Sequence, residues 1–378
     1  MKFRLVLSQF FVYFFIVFSI FHNLFGSKEN LLFLRLAQGC GVLSFFWVIW
    51  NFKSFRWKNS FSFRLLLVLS TSIVLVNLIN GQLDLFSIVY PLSFFSISFL
   101  IRESNVSLTF FLVLTILVYS WLGYEAVNGI SPNDWVKGSR NHVSVLVIYL
   151  VILTQLIVLF KYGGGSLITH AILPFGALIF SVLAIGRGGI ISCGLLLIFS
   201  VHHLFFKNRK VNLNVITLLI GIFFLGIWFF NILDVLNQFD IFNQYLYKFE
   251  TQGFESEERE YLIISYINSL STLDFFIGNW DFALLDLTLH NSYLHWHMKY
   301  GLGSLFFCLI ILRKMWHLIS LNFSIFLILL VLLFRSWSDQ ILVSDGILFG
   351  LPFFSALNWQ DKISLKSSHR PLSNNSFT

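Results

Sequence analysis

Charge is scarce in this chain of 378 residues: only 11% are Asp, Glu, Lys or Arg, while 57% are hydrophobic and 47 are phenylalanine. A soluble domain of that length could not cover its surface with so few charges. Strict alternation of apolar and polar residues is missing too, and its absence excludes a transmembrane β-barrel. Cysteine is limited to Cys40, Cys193 and Cys308, all inside apolar runs, so no disulfide framework is implied. No A-x-A-type cleavage site follows the first apolar run, which reads as a retained anchor behind Lys2 and Arg4. Neither a solenoid repeat nor a matched pair of Gly/Pro-broken spans is visible.

What is present is a succession of apolar runs near the ~20 residues that cross a bilayer. They predict an all-α integral membrane protein with about twelve spans, at 5–26, 31–50, 65–80, 85–101, 106–122, 143–160, 167–185, 188–206, 211–231, 292–312, 318–334 and 340–357. An even number puts both termini on one side. Most of the 25 Lys and Arg residues, among them Lys53, Arg56, Lys58, Lys207, Arg209, Lys210, Arg313 and Lys314, then share the side of the N-terminus, which is therefore cytoplasmic. The net charge of +7 reports topology, because no clustered basic face suits a nucleic acid. Four regions follow: spans one to nine (1–231), a large outer loop (232–289), spans ten to twelve (290–357) and a cytoplasmic tail (358–378).

More than half of the 18 acidic residues lie in the large loop. Within it, ESEEREYLIISYINSL (255–270) predicts an amphipathic helix with Ser256 as N-cap and acids at its positive start. Helical spacing puts Arg259, Ile263, Tyr266 and Leu270 on one face, against the alternative of an arginine ion-paired to its glutamate neighbours on a wet surface. Arg187 stands in AIGRGGII between two apolar runs, so its turn must be tight. An arginine at membrane depth is costly without a partner, which makes it a candidate for a functional site, with snorkelling to the interface as the alternative. Arg140, in KGSRNHVS, is of the same type. Arg35 falls inside span two, facing either the bundle or the interface.

Three arginines on the outer face suit a polyanion such as a pyrophosphate. Three histidines, His290, His295 and His297, crowd the start of span ten and raise the choice between metal ligand, proton acceptor and packing residue. No H-E-x-x-H occurs, and neither Asp nor Glu falls between 287 and 338, so no metal centre is expected. His295, beside Trp296 and Tyr300, reads as part of an interfacial aromatic belt.

Four segments carry a resemblance. LHNSYLHWHMKYGLGSLFF resembles the HN-x-x-L…G-x-x-G signature of the O-antigen ligase/polymerase superfamily, where it follows the large periplasmic loop and opens the next span. SRNHVS (139–144) and IGRGGII (185–191) resemble two upstream segments of that family, and the 255–270 helix resembles its arginine-bearing loop helix. The likeness covers mainly residues 130–312, in the family's order. One departure is Gly186, where the family often has Ser. The resemblance implies a GT-C-like, metal-independent glycosyltransferase of the bacterial inner membrane, without a cofactor. It implies transfer of a glycan from undecaprenyl pyrophosphate to an acceptor hydroxyl, with Arg187 and Arg259 on the pyrophosphate and His290 as the base. Arg140, Asn141 and Asn291 would support substrate binding, and a chain-length regulator is an expected partner. Within the family the polymerase is preferred to the ligase that moves glycan onto lipid A-core. A lipid-linked oligosaccharide flippase is the alternative of another class, disfavoured because the charges sit at span ends.

Overall fold

The computed structural model describes residues 2–25, 31–51, 61–79, 81, 86–136, 140–161, 165–206, 257–279, 289, 291–321, 323–338 and 350–356. Among them there is no strand, and their apolar helices are those of a membrane-associated α-helical protein. The helices are α1 (Lys2–Phe25), α2 (Leu32–Asn51), α3 (Phe61–Ile79), α4 (Phe86–Glu103), α5 (Leu108–Val127), α6 (Arg140–Lys161), α7 (Leu173–Leu183, entered through a π-turn at Ile168–Ile172), α8 (Arg187–Phe206), α9 (Glu257–Ser269), α10 (Thr272–Ile277), α11 (Ser292–Tyr300), α12 (Leu302–Leu321) and α13 (Phe323–Ser338). Four of the described helices are long and apolar enough to cross a membrane: Phe3–Phe25, Leu32–Asn51, Leu108–Val127 and Arg140–Leu159. Shorter apolar stretches at Leu66–Ile79, Ile168–Leu183, Gly188–Leu204 and Ile325–Trp337 coincide with four more of the expected spans. The expected span 211–231, most of span 340–357, most of the large loop and the tail lie outside the described residues.

Helix α6 is the centre. In its apolar window 89% is buried, against 39% or less in the other three long helices, so it is wrapped by protein where they keep a broad apolar flank outward. Helices α5, α7 and α8 pack around it, α13 lies along α8, and α12 joins α13 back to α3 and the α1–α2–α4 group. Close approach depends on small residues: Gly41 abuts Ser93, and Gly303 abuts Ser72. Several buried hydroxyls are satisfied inside their own helices, as Thr115 donates to the Phe111 carbonyl at 2.7 Å and Thr154 to that of Leu150 at 2.7 Å.

The expected span 292–312 is not one helix. Gly301, at φ +51°, separates α11 from α12, because the backbone of Phe276 and Ile277 crosses against it and leaves no room for a side chain. The expected break near residues 313–317 is absent, and α12 runs through to Leu321. His295, Trp296 and Tyr300 are all buried, so the expected aromatic belt is instead part of the protein interior; α11 is tucked among α3, α12 and α13. Arg35 is exposed on α2 and donates to Gln38 Oε1 at 3.1 Å.

Candidate functional site

The starts of α6 and α8 meet. Gly186 lies beside Asn141: a methyl placed on it would sit 3.6 Å from Asn141 Oδ1 and 3.9 Å from the Arg140 carbonyl. One turn on, Gly189 is pressed against Ser144 so closely that any side chain would collide with it. The glycines of IGRGG therefore serve helix approach. The turn itself is made by Ile185, at φ +54°, the one positive-φ residue other than glycine among the described residues. A β-branched residue there is strained by roughly 1–3 kcal/mol and persists only where the surroundings hold it. Ile185 is buried, its N–H bonds to the Val182 carbonyl at 2.9 Å, and the Gly186 N–H reaches that of Ser181 at 3.3 Å.

Arg140 is the first residue of α6, and Arg187 is the first of α8. Helix starts carry the positive end of the backbone dipole, so a cation there is unfavourable unless an anion joins it. A third arginine arrives from α13. Arg335 is 1% exposed, and its Nη2 donates to the Asn141 carbonyl at 3.1 Å and to Ser144 Oγ at 3.3 Å. Ser144 Oγ in turn donates to the same carbonyl at 2.8 Å. The end of α13 thus pins the start of α6 against that of α8.

The start of α11 comes to the same end of the bundle. Tyr293 Oη donates to the Leu333 carbonyl at 3.0 Å, two residues from Arg335, and its ring meets Trp337 with centroids 6.1 Å apart. Asn291 is buried as the N-cap of α11, its Oδ1 accepting from the N–H groups of Tyr293 (3.0 Å) and Leu294 (3.2 Å). Its oxygen is committed to the cap, which a bare assignment to substrate did not anticipate. His290 lies outside the described residues, between Leu289, buried against Tyr266 and Met298, and Asn291. The helix that carries His297 begins at Ser292.

Arg259 belongs to α9, as expected, and the predicted buried face holds at Tyr266, with Leu262 and Leu270 packed around it. That helix is fastened to α11 by one histidine. His297 Nε2 lies 3.0 Å from the Phe275 carbonyl, and Tyr266 Oη lies 2.6 Å from Nδ1. A carbonyl can only accept, so Nε2 carries the proton and Nδ1 takes the tyrosine hydroxyl. Burial pushes the His297 pKa down, while the Phe275 carbonyl pulls the other way; burial, aided by Asp274, pushes that of Tyr266 up. Both stay neutral near pH 7, so His297 is a structural bolt with neither nitrogen free for catalysis. His295 differs: it is buried, neither ring nitrogen has a hydrogen-bond partner among the described residues, and burial followed by Lys299 holds its pKa well below the usual histidine range.

Four of the residues singled out from the sequence, Arg140, Asn141, Arg187 and Asn291, thus belong to helix starts gathered around the end of α13, with Arg259 on the helix bolted to α11. Arg335 was missed as a site residue. The signal was there, since it closes the apolar run FLILLVLLF just as Arg187 follows one, but it passed for a charge at a span end. Compared with known protein families, curated proteins and solved structures, the chain matches none.

Proposed function

We propose that this protein is a polysaccharide polymerase of the bacterial inner membrane, acting on glycans carried by undecaprenyl pyrophosphate. The reading includes twelve spans in a GT-C-like arrangement, cytoplasmic termini, and the Arg140 end of α6 facing the periplasm. The observation that carries it is the pair of arginines opening two helices whose starts converge, an arrangement adverse to the fold and suited to a doubly charged leaving group. Arg187 and Arg259 hold the pyrophosphate and stabilise the charge that grows as the anomeric C–O bond breaks. His290 takes the proton of the acceptor hydroxyl, whose oxygen forms the new bond to the anomeric carbon from the opposite face, so configuration inverts. Arg140 and Asn141 border the donor, and Asn291 fixes the first turn of α11 next to the base.

The test is the lipopolysaccharide of a deletion strain. Loss of a polymerase leaves single repeat units attached to core, and re-expression restores the ladder. Glycan stranded on its lipid carrier would replace this reading with the ligase, and unchanged ladders would remove both.

A further inference from the structure

Helix α10, TLDFFI, is apolar at four of its six positions, yet none of its residues is buried. Leu273 is 64% exposed, Phe275 49% and Phe276 52%. It cannot tuck these side chains away by moving, because its backbone is fastened on three sides. The Phe275 carbonyl meets His297 Nε2 at 3.0 Å, the Phe276 carbonyl is pressed against Gly301, and Gly278 at its end is pressed against the Met298 carbonyl. At its start, Ser271 and Asp274 exchange capping hydrogen bonds at 3.0 and 3.1 Å.

What lies beside it identifies the partner. Gly301 opens α12, and one turn further along α12 begins an outward apolar stripe, Leu305, Leu309 and Leu312, each at least 52% exposed and spaced by four and three residues. On a helix of a membrane protein such a stripe faces acyl chains. The apolar side chains of α10 extend it past the helix end, where acyl chains give way to headgroups. We infer that α10 lies in the membrane interface with Leu273, Phe275 and Phe276 inserted into the lipid, an anchor that holds α9 and its Arg259 at the bilayer surface. This stands whether or not the protein is a glycosyltransferase.

The test uses the full chain in phosphatidylethanolamine–phosphatidylglycerol vesicles, with Cys40, Cys193 and Cys308 replaced by alanine. Spin labels enter singly through Leu273→Cys, Phe276→Cys, Leu309→Cys as the lipid reference and Asn268→Cys, exposed on α9, as the water reference. Power saturation should place 273 and 276 with 309, more accessible to oxygen than to a water-soluble nickel chelate. Grouping with 268 overturns the inference. So does protection from both reagents, which means that protein covers α10. Should the cysteine-free chain fail to fold, benzoylphenylalanine at position 276 of the otherwise native chain decides: photocrosslinks to lipid support the anchor, and crosslinks to protein, or none, overturn it.

Discussion

The two ends of α6 differ in what holds them. At the Lys161 end hydrogen bonds from polar side chains tie neighbouring helices together, although the buried Gln155 Oε1 has no partner among the described residues. Lys161 Nζ donates to the carbonyls of Ser104 (3.0 Å) and Val106 (3.1 Å), closing the α4–α5 turn from the helix C-terminus, where a cation is favoured. Gln155 Nε2 bridges the Thr169 carbonyl (3.0 Å) and Ser200 Oγ (2.8 Å), so that the π-turn, α6 and α8 are tied together. Thr169 Oγ1 meets His170 Nδ1 at 2.7 Å, and the rings of His170 and His203 stack 5.1 Å apart. At the Arg140 end, arginines open α6 and α8 against the helix dipoles, a β-branched residue sits at positive φ, and Arg335 reaches across from 194 positions away. One end is held by hydrogen bonds between helices, and the other carries a strained residue and a buried arginine among its helix starts. Strain persists only where the surroundings hold it, and this is the end at which the proposed function puts the pyrophosphate.

The strongest way to break the contrast is to remove charge from the Arg140 end. Arg187→Ala, Arg259→Ala and His290→Ala should each lower glycan transfer by about 10²–10⁴-fold, while the protein still inserts and purifies as a folded species. Repeat-unit ladders from membranes carrying each variant provide the measurement; wild-type chain lengths in any two would sink the assignment. Arg335 comes next. Arg335→Met should cost about 10–100-fold in transfer, because it frees the start of α6 to drift from that of α8. Its hydrogen bonds go to protein groups, so the loss should appear in kcat with KM for the lipid-linked donor little changed. A rise in KM alone would instead make Arg335 a donor-binding residue.

The Lys161 end should answer differently. Gln155→Leu strands the buried Thr169 carbonyl and should destabilise the bundle by about 1–3 kcal/mol, lowering the midpoint of thermal unfolding in detergent. Transfer per folded molecule should stay within about twofold of wild type. A larger loss would mean that the two ends are coupled along α6 and that their separation is false.

Much of this was legible in the sequence, for identifiable reasons. Arg140 and Arg187 stood out because charge at the end of an apolar run has few benign explanations, and the glycines beside Arg187 announced a tight approach. The loop helix was visible because Tyr266 and Leu270 repeat at helical spacing behind an acidic start. The division at Gly301 was not, since the apolar pattern continues from Trp296 into Leu305 and only the strand of backbone at Phe276 and Ile277, brought in by the fold, forces it. The tight turn at IGRGG was expected, but nothing in the sequence marks Ile185 as its left-handed residue, a choice made by packing. In the sequence His290 stands apart as the base and His295 as part of an aromatic belt, while His297 has no role of its own until Tyr266, 31 positions away, supplies one.

The smallest effect concerns that bolt. Tyr266→Phe leaves Nδ1 of His297 without its donor and should loosen α9 and α10 from α11 by about 1–3 kcal/mol. Amide hydrogen exchange of α9 is the sensitive measurement, because the bundle itself need not respond. The same attachment should depend on pH. The folded His297 pKa lies below its ordinary value of 6.5, so the neutral form is the one the fold favours. Its contribution is complete above about pH 6.5 and declines as the pH falls from there toward the folded value, since the released segment binds a proton that the docked one refuses. Protection of α9 amides should therefore be greater at pH 7.5 than at pH 5.5, after correction for intrinsic exchange. Protection that rose on acidification would require a protonated His297 in the docked form, and the tautomer assigned from the Phe275 carbonyl would then fail with it.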